Sequence, residues 1–218
     1  MTTRLPLFPL EVVLFPGAAL PLHIFEPRYR QLVADRLAGD GRFGLIHPVE
    51  GQDDADLPTG AVGCIAEIEH HEPLPDGRSN IIVRGRERFA FAGWVESGTP
   101  YRTADVVPWD DLLEPAASLA VLNGRVRLLF TRVADAARII TEEGAGPPPL
   151  PDDPSRLSFA IASMIDMDAA DRQALLAERS PLARLRALEA LLAPAAPALE
   201  SRAKIHTRAR TNGHGPHT

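Results

Sequence analysis

"AVGCIAEIEHHEPLPDGRSNIIVRGRERFAF", residues 61–91, alternates apolar and polar side chains on both sides of the turn signal Asp76-Gly77. Period-two alternation around such a dipeptide is the strongest short-range mark of a β-hairpin. With Asp76 and Gly77 as the central turn residues, Glu69 faces Arg84, Glu67 faces Arg86 and Ile65 faces Arg88 on one side. The other side sets Cys64 against Phe89 and Val62 against Phe91. Pro73 and Pro75 point to a loop longer than two residues, and Glu87, which falls on the apolar side next to Gly85, predicts a bulge. The hairpin thus predicts one charged face and one apolar face, as a sheet packed on a core requires.

Working outward, short apolar runs separated by Gly, Pro and Asp fill residues 5–110 and read as strands at 5–8, 12–15, 18–23, 43–47, 61–70, 80–91 and 101–108. Pro6 and Pro9 remove ladder donors and predict a short or edge first strand; Pro16-Gly17 fits the centre of a type II turn, and Pro21 predicts a peripheral strand. Pro27 suits the first turn of a helix whose Tyr29, Leu32, Val33, Arg36 and Leu37 share a stripe that stops at Gly39.

Beyond Glu114-Pro115 the period changes. Leu119, Leu122, Val126, Leu129, Val133, Ala136 and Ile140 recur in steps of three and four, which predicts one long amphipathic helix. A Pro/Gly-rich linker (142–153) follows, then helices opened by Asp153-Pro154, capped by Asp168, and opened by Ser180-Pro181. The expected fold class is α+β. A β-rich domain spans 1–112 and a helical bundle 113–193, while residues 194–218, after Pro194 and Pro197, form a flexible basic tail.

Among 218 residues, 45% are hydrophobic and 24% charged, the balance of a folded chain. No apolar run is long enough to span a membrane, no signal peptide is evident, and Cys64 is the single cysteine, all of which predict a reducing, cytoplasmic setting. The net charge of −6 becomes −10 once the +4 carried by Arg202, Lys204, Arg208 and Arg210 is set aside. An acidic body argues against nucleic acid as the partner. Lys204 is the only lysine beside 22 arginines, so individual arginines carry little functional signal.

Potential sites are sparse. Cys64 lies on the apolar face of the hairpin and reads as a buried structural thiol. His70 and His71 point to opposite faces of a strand, and His23 and His47 lack the spaced ligands of a metal motif; His206, His214 and His217 lie in the tail. No metal or cofactor is expected. Glu26 sits before Pro27 and fits an ion pair with Arg28 or Arg30, while Asp53-Asp54 has no orienting group for acid/base work. The aromatic residues Phe15, Phe25, Tyr29, Trp94 and Trp109 are candidates for contact with an exposed polypeptide. Arg84, Arg86 and Arg88 are the alternative candidates, for phosphate or RNA.

The segment "LPLFPLEVVLFPGAALPLHIFEPRYR" (5–30), followed by "VRGRERFAF" in the hairpin and ending in helices with "RLRALEALL", closely resembles the Lon protease N-terminal (substrate-binding) domain family over about residues 4–193. The resemblance implies a PUA-like β pseudo-barrel followed by a helical bundle. It also implies a non-catalytic module that engages unfolded or exposed polypeptide segments without ATP, as an adaptor to a protease or chaperone in quality control. The full protease adds an ATPase with a phosphate loop and a protease with a Ser-Lys dyad. No G-x-x-x-x-G-K-[ST] occurs here and Lys204 lies in the tail, so the chain reads as a stand-alone, non-enzymatic member. RNA binding by the PUA-like barrel is the alternative.

Overall fold

The computed structural model describes residues 2–48, 56–142 and 146–213. Six strands and five helices follow in the order β1 (Thr3–Pro9), β2 (Ala19–Ile24), α1 (Pro27–Leu37), β3 (Arg42–Ile46), β4 (Val62–Pro73), β5 (Ser79–Val95), β6 (Thr103–Pro108), α2 (Ala116–Thr141), α3 (Pro154–Met164), α4 (Ala169–Ala177) and α5 (Pro181–Gly213). They form two compact units, the first comprising Met1–Leu112 with Ala162–Arg179 and the second Leu113–Ile161 with Ser180–Thr218. This division differs from the expected 1–112 and 113–193, because α4 belongs to the β unit.

In the first unit the sheet runs β2-β5-β4-β3-β1-β6, and a further β5–β6 pairing closes it into a barrel. Closure depends on the length of β5. Along the edge facing away from β4, residues 79–84 pair with β2 and residues 89–95 pair with β6. Between these ladders Gly85 accepts from the Gly17 N–H (2.8 Å) and donates to the Ala18 carbonyl (2.9 Å). A Cβ at Gly85 would stand 2.1 Å from the Phe15 carbonyl oxygen, so this crossing admits no side chain. The segment Val13–Phe15, expected as a strand, is buried but unladdered: it passes over Gly85 and turns at Pro16-Gly17, where Ala18 N–H meets Phe15 O (3.1 Å) and Gly17 has φ +82°. That geometry is the expected type II turn.

The prolines of β1 do not put it on an edge. Thr3–Pro6 pair with β6 and Leu7–Pro9 pair with β3, so the ladders are staggered and each proline meets only one neighbour. Pro21 does sit on an edge strand, since β2 pairs with β5 alone.

The hairpin is longer-looped and more irregular than a two-residue turn allows. Pro73 pairs with Ser79 across the five residues 74–78, with Gly77 at φ +82°. Register shifts occur between Cys64 and Ala66 and between Ile68 and His70. At the first, Arg86 and Glu87 together oppose Ile65, which is the expected bulge and turns Glu87 out to solvent. Cys64 consequently pairs with Arg88 and Gly63 with Phe89, one residue off the regular register.

Helix α1 starts at Pro27 as expected and buries Tyr29, Leu32 and Val33; Tyr29 stacks on Phe8 at 3.8 Å. Glu26 accepts from Arg28 Nε (2.9 Å). Helix α4, capped by Asp168 accepting from the Asp171 N–H (2.7 Å), packs on the barrel. Its Gln173 side chain donates to Val62 O (2.9 Å), and Arg172 lies 5.2 Å over the Phe15 ring.

In the second unit α2 and α5 run in the same direction, joined by Arg125–Glu189 (2.6 Å), Arg132–Glu200 (2.7 Å) and Glu142–His206 (3.2 Å). Leu122, Val126, Phe130 and Ala136 of α2 and Leu185, Leu188, Leu192, Ala196 and Ala203 of α5 form the apolar interior. Ser180 caps α5 by accepting from the Ala183 N–H (2.9 Å), and Glu114 accepts from Leu182 N–H (2.7 Å). Arg184 is 1% exposed and donates to the Ser158 and Ser155 hydroxyls, both at 2.9 Å, above the Phe159 ring. Helix α5 continues through Pro194 and Pro197 to Gly213, where a flexible tail was expected. Each proline costs a helix about 3 kcal/mol, and burial of Ala196 and Ala203 in the unit's interior offsets part of that loss. His214 and His217 lie outside the described residues.

Gly85→Ala forces a methyl against backbone rather than against a yielding side chain. We expect it to lower unfolding free energy by roughly 2–3 kcal/mol in chemical denaturation. Gly98→Ala, at a turn with open space around it, serves as the comparison and loses about 1 kcal/mol through its positive φ alone.

Candidate functional site

The three arginines of the hairpin have different fates. Arg84 pairs with Glu69 (2.5 Å) and Arg86 with Glu67 (2.7 Å), the expected partners but diagonally, since the register shifts set Arg84 directly opposite Glu67, and Arg42 of β3 adds a second contact to Glu67 (2.7 Å). These hydrogen bonds hold the carboxyls of Glu67 and Glu69 below the usual carboxylate range. The stripe is therefore a neutralised ladder rather than a cationic surface.

Arg88 is buried at 6% exposure. Its guanidinium donates to Leu176 O (2.6 Å) and Glu178 O (2.7 Å) at the C-terminal end of α4 and pairs with Asp111. A cation at a helix C-terminus satisfies carbonyls that lack intrahelical partners and complements the helix dipole. Arg88 is thus a fastener between β5 and α4, and the reading of it as a phosphate contact is corrected. Its side chain is committed inside the fold.

The five aromatic candidates are not brought together. Phe15 (0% exposed) and Tyr29 (4%) are core residues, under the Pro16-Gly17 turn and against Phe8 respectively, which corrects their reading as contact surface. Trp109 is half-buried; its indole N–H donates to Ala177 O (2.8 Å), and Arg179 covers its ring at 5.0 Å, so it helps Arg88 hold α4.

Phe25 and Trp94 remain. Phe25 is 59% exposed and stands 6.1 Å from His23, whose Nδ1 bonds Asn80 Oδ1 (2.8 Å), while Asn80 Nδ2 donates to Glu72 (3.0 Å). Trp94 is half-buried against Phe91, ring centroids 4.9 Å apart.

Trp94 also lines a cavity of about 470 Å³ formed with the β5–β6 turn, residues 95–99 and 101–103. Arg102 stands over the indole face at 5.3 Å. Ser97 and Thr99 hydroxyls bond each other (2.7 Å), and Thr99 donates to Tyr101 O (2.8 Å). Tyr101 closes the base by donating to Asp35 (2.8 Å). The cavity thus combines an aromatic wall, a guanidinium and several hydroxyls in one place.

Sequence reasoning found Trp94 but missed Arg102. The signal is cross-strand: Trp94 pairs with Ala104, which puts Arg102 on the diagonal neighbour position of the same face.

Cys64 is fully buried, and burial pushes its thiol up to about 12, far from a nucleophilic thiolate. Among the described residues no group of three His, Cys, Asp or Glu side chains is placed to hold a metal ion, and no helix is long and apolar enough to cross a membrane.

Two contrasts check these assignments. Arg88→Ala should cost roughly 3 kcal/mol of stability, because it strands Asp111 and two carbonyls, whereas Arg84→Ala, in the exposed ladder, should cost about 1 kcal/mol or less. Cys64 should stay unreactive toward a disulfide reagent at mildly alkaline pH in the native protein and react fully once guanidinium unfolds it.

Comparison with known proteins places the fold. Among solved structures, the N-terminal domain of Mycobacterium avium complex Lon protease superposes with a TM-score of 0.67 at 17% identity, covering 88% of this chain and 98% of that one. A Lon N-terminal domain protein from Xanthomonas campestris gives 0.58 at 28% identity, covering 86% and 98%. Among curated relatives, the Lon protease of Trichlorobacter lovleyi is 30% identical over 213 residues and Lon protease 2 of Herpetosiphon aurantiacus 27% over 204. They cover 94% and 91% of this chain, which spans about a quarter of their length (26% and 25%). The family model for the substrate-binding domain of ATP-dependent protease La (LON) matches residues 4–193, and the chain belongs to that family.

Proposed function

We propose that this protein is a non-catalytic polypeptide-recognition module that serves as an adaptor in protein quality control, and that the Trp94–Arg102 cavity is its contact point. Family membership supplies the substrate class, since the matched domain is named for substrate binding. The cavity supplies the local chemistry, and it is the observation that carries the assignment to these residues.

A cavity of about 470 Å³ holds a large side chain with part of its backbone. The indole of Trp94 offers a rigid apolar wall, and aromatic walls beside arginine are the composition at which binding energy concentrates. Arg102, already aligned over that wall, places positive charge beside it. Packing on Phe91 holds the Trp94 ring and a hydrogen bond to Asp35 holds Tyr101, so these two lining side chains are preorganised by the fold. A shape-tolerant site of this kind suits exposed segments of varied sequence.

The RNA reading draws no comparable support. Arg84 and Arg86 are spent on carboxylates and Arg88 is buried.

The experiment is fluorescence anisotropy with a labelled, permanently unfolded polypeptide, and with its folded parent as control. Trp94→Ala and Arg102→Ala should each weaken binding by about tenfold, equivalent to ~1.4 kcal/mol. Phe15→Leu, a core change, should reduce stability and leave affinity of the folded fraction unchanged. Equal binding of the unfolded and folded probes would sink the reading.

A further inference from the structure

The C-terminal halves of α2 and α5 enclose a second recess, of about 440 Å³, that lies apart in composition from the Trp94 cavity. Its floor is apolar: Ala136 and Ala203 are buried and small, and Ile139 is 42% exposed although it faces the recess. From Arg132 to Ile139 on one helix and Glu200 to Arg208 on the other, the recess extends for about 10 Å, two helical turns. All of its α5 wall lies beyond residue 193, where the match to the family model ends.

The charges around this floor are unevenly committed. Glu200 is held by both Nε (2.7 Å) and Nη2 (3.0 Å) of Arg132. Lys204 and Arg208, four residues apart and so on one face of α5, both line the recess. Lys204 adds only a through-space pull on the Glu200 carboxylate. Asp135 on α2 is the second carboxylate, so three cations (Arg132, Lys204, Arg208) and two carboxylates (Asp135, Glu200) line the recess. Glu200, four residues before Lys204, partly answers its charge, while Arg208, four residues beyond, adds a like charge that an acidic partner would balance.

We propose that this recess docks one amphipathic helix of a partner protein, with an apolar stripe against Ala136, Ile139 and Ala203 and carboxylates against Lys204 and Arg208. A helix is the occupant that the geometry favours. Two packed helices present a groove that a third fills with residues spaced i, i+3/i+4 and i+7, and two turns supply three such anchors. The charges then set orientation and choice of partner, because acidic flanks complement Lys204 and Arg208 while basic flanks oppose them. Residues of this site are separate from Trp94 and Arg102, so the inference stands or falls independently of the cavity assignment.

The test uses the full chain and three labelled synthetic helices of about eighteen residues, long enough to hold helical structure. One carries a leucine stripe flanked by glutamates, the second replaces the glutamates with lysines, and the third replaces the leucines with alanines. At low ionic strength the first should bind and the other two should bind at least about tenfold more weakly.

In the charge-reversed double variant Lys204→Glu, Arg208→Glu, the preference should invert toward the lysine peptide. Ile139→Asp should lose both. Val121→Asp, at an exposed apolar position of α2 outside the recess, should leave all three affinities unchanged, and circular dichroism should confirm that each variant is folded. Equal binding of the acidic and basic peptides, or failure of the charge reversal to invert their order, would overturn the proposal. Capture of anionic lipid vesicles without binding of the acidic peptide would overturn it as well, since the cations would then read a charged surface.

Discussion

The backbone of Phe15 crosses Gly85 so closely that no side chain fits there, and this single approach lets β5 serve two neighbours along one edge. A strand has two edges, and β5 has three partners. With β4 on one side, the other side must be divided between β2 and β6, and the division needs a point where one ladder stops and the other has not begun. Gly85 supplies it. Its own N–H and C=O are satisfied by Ala18 and Gly17, so the switch leaves no buried donor or acceptor unpaired. Barrel closure, the type II turn before β2 and the burial of Phe15 all follow from that crossing.

A second constraint fixes what lies against the barrel. Helix α4 has nine residues, too few to stand alone, and its terminal carbonyls need donors. Arg88 provides two of them, Trp109 a third, and Asp111 neutralises the guanidinium. A buried charge is tolerable only when it is paired and its donors are used, and here both conditions hold. This is why α4 belongs with the strands although it lies between helices in the sequence. Burying Arg88 also removes it from any surface role, while Arg84 and Arg86 are balanced by glutamates.

Legibility varied with the range of the interaction. Six of the seven expected strands, the bulge near Glu87, the turn at Pro16-Gly17, the Glu67–Arg86 and Glu69–Arg84 ion pairs and the starts of α1, α4 and α5 were readable, because each is set within one hairpin, turn or helix end. The prolines misled where tertiary context answered them. In β1 the staggered ladders excused Pro6 and Pro9 from edge duty, and in α5 packing of Ala196 and Ala203 within the helical unit carried the helix past Pro194 and Pro197. Of the aromatic candidates, composition marked all five alike; only packing separated Phe15 and Tyr29, which fill the core, from Phe25 and Trp94, which reach solvent.

By itself the sequence determined the α+β class, the hairpin with its opposed charges, the order of elements and the family pattern over residues 4–193. Those features rest on local periodicity, turn chemistry and neighbouring side chains, all written within short stretches of chain. The tertiary structure alone decided that Arg88 is a buried fastener, that Arg102 stands over Trp94, and that Lys204 and Arg208 flank an apolar recess. Each of these brings together residues from separate strands, helices or turns, and the sign of a side chain's contribution depends on which partners and how much water surround it.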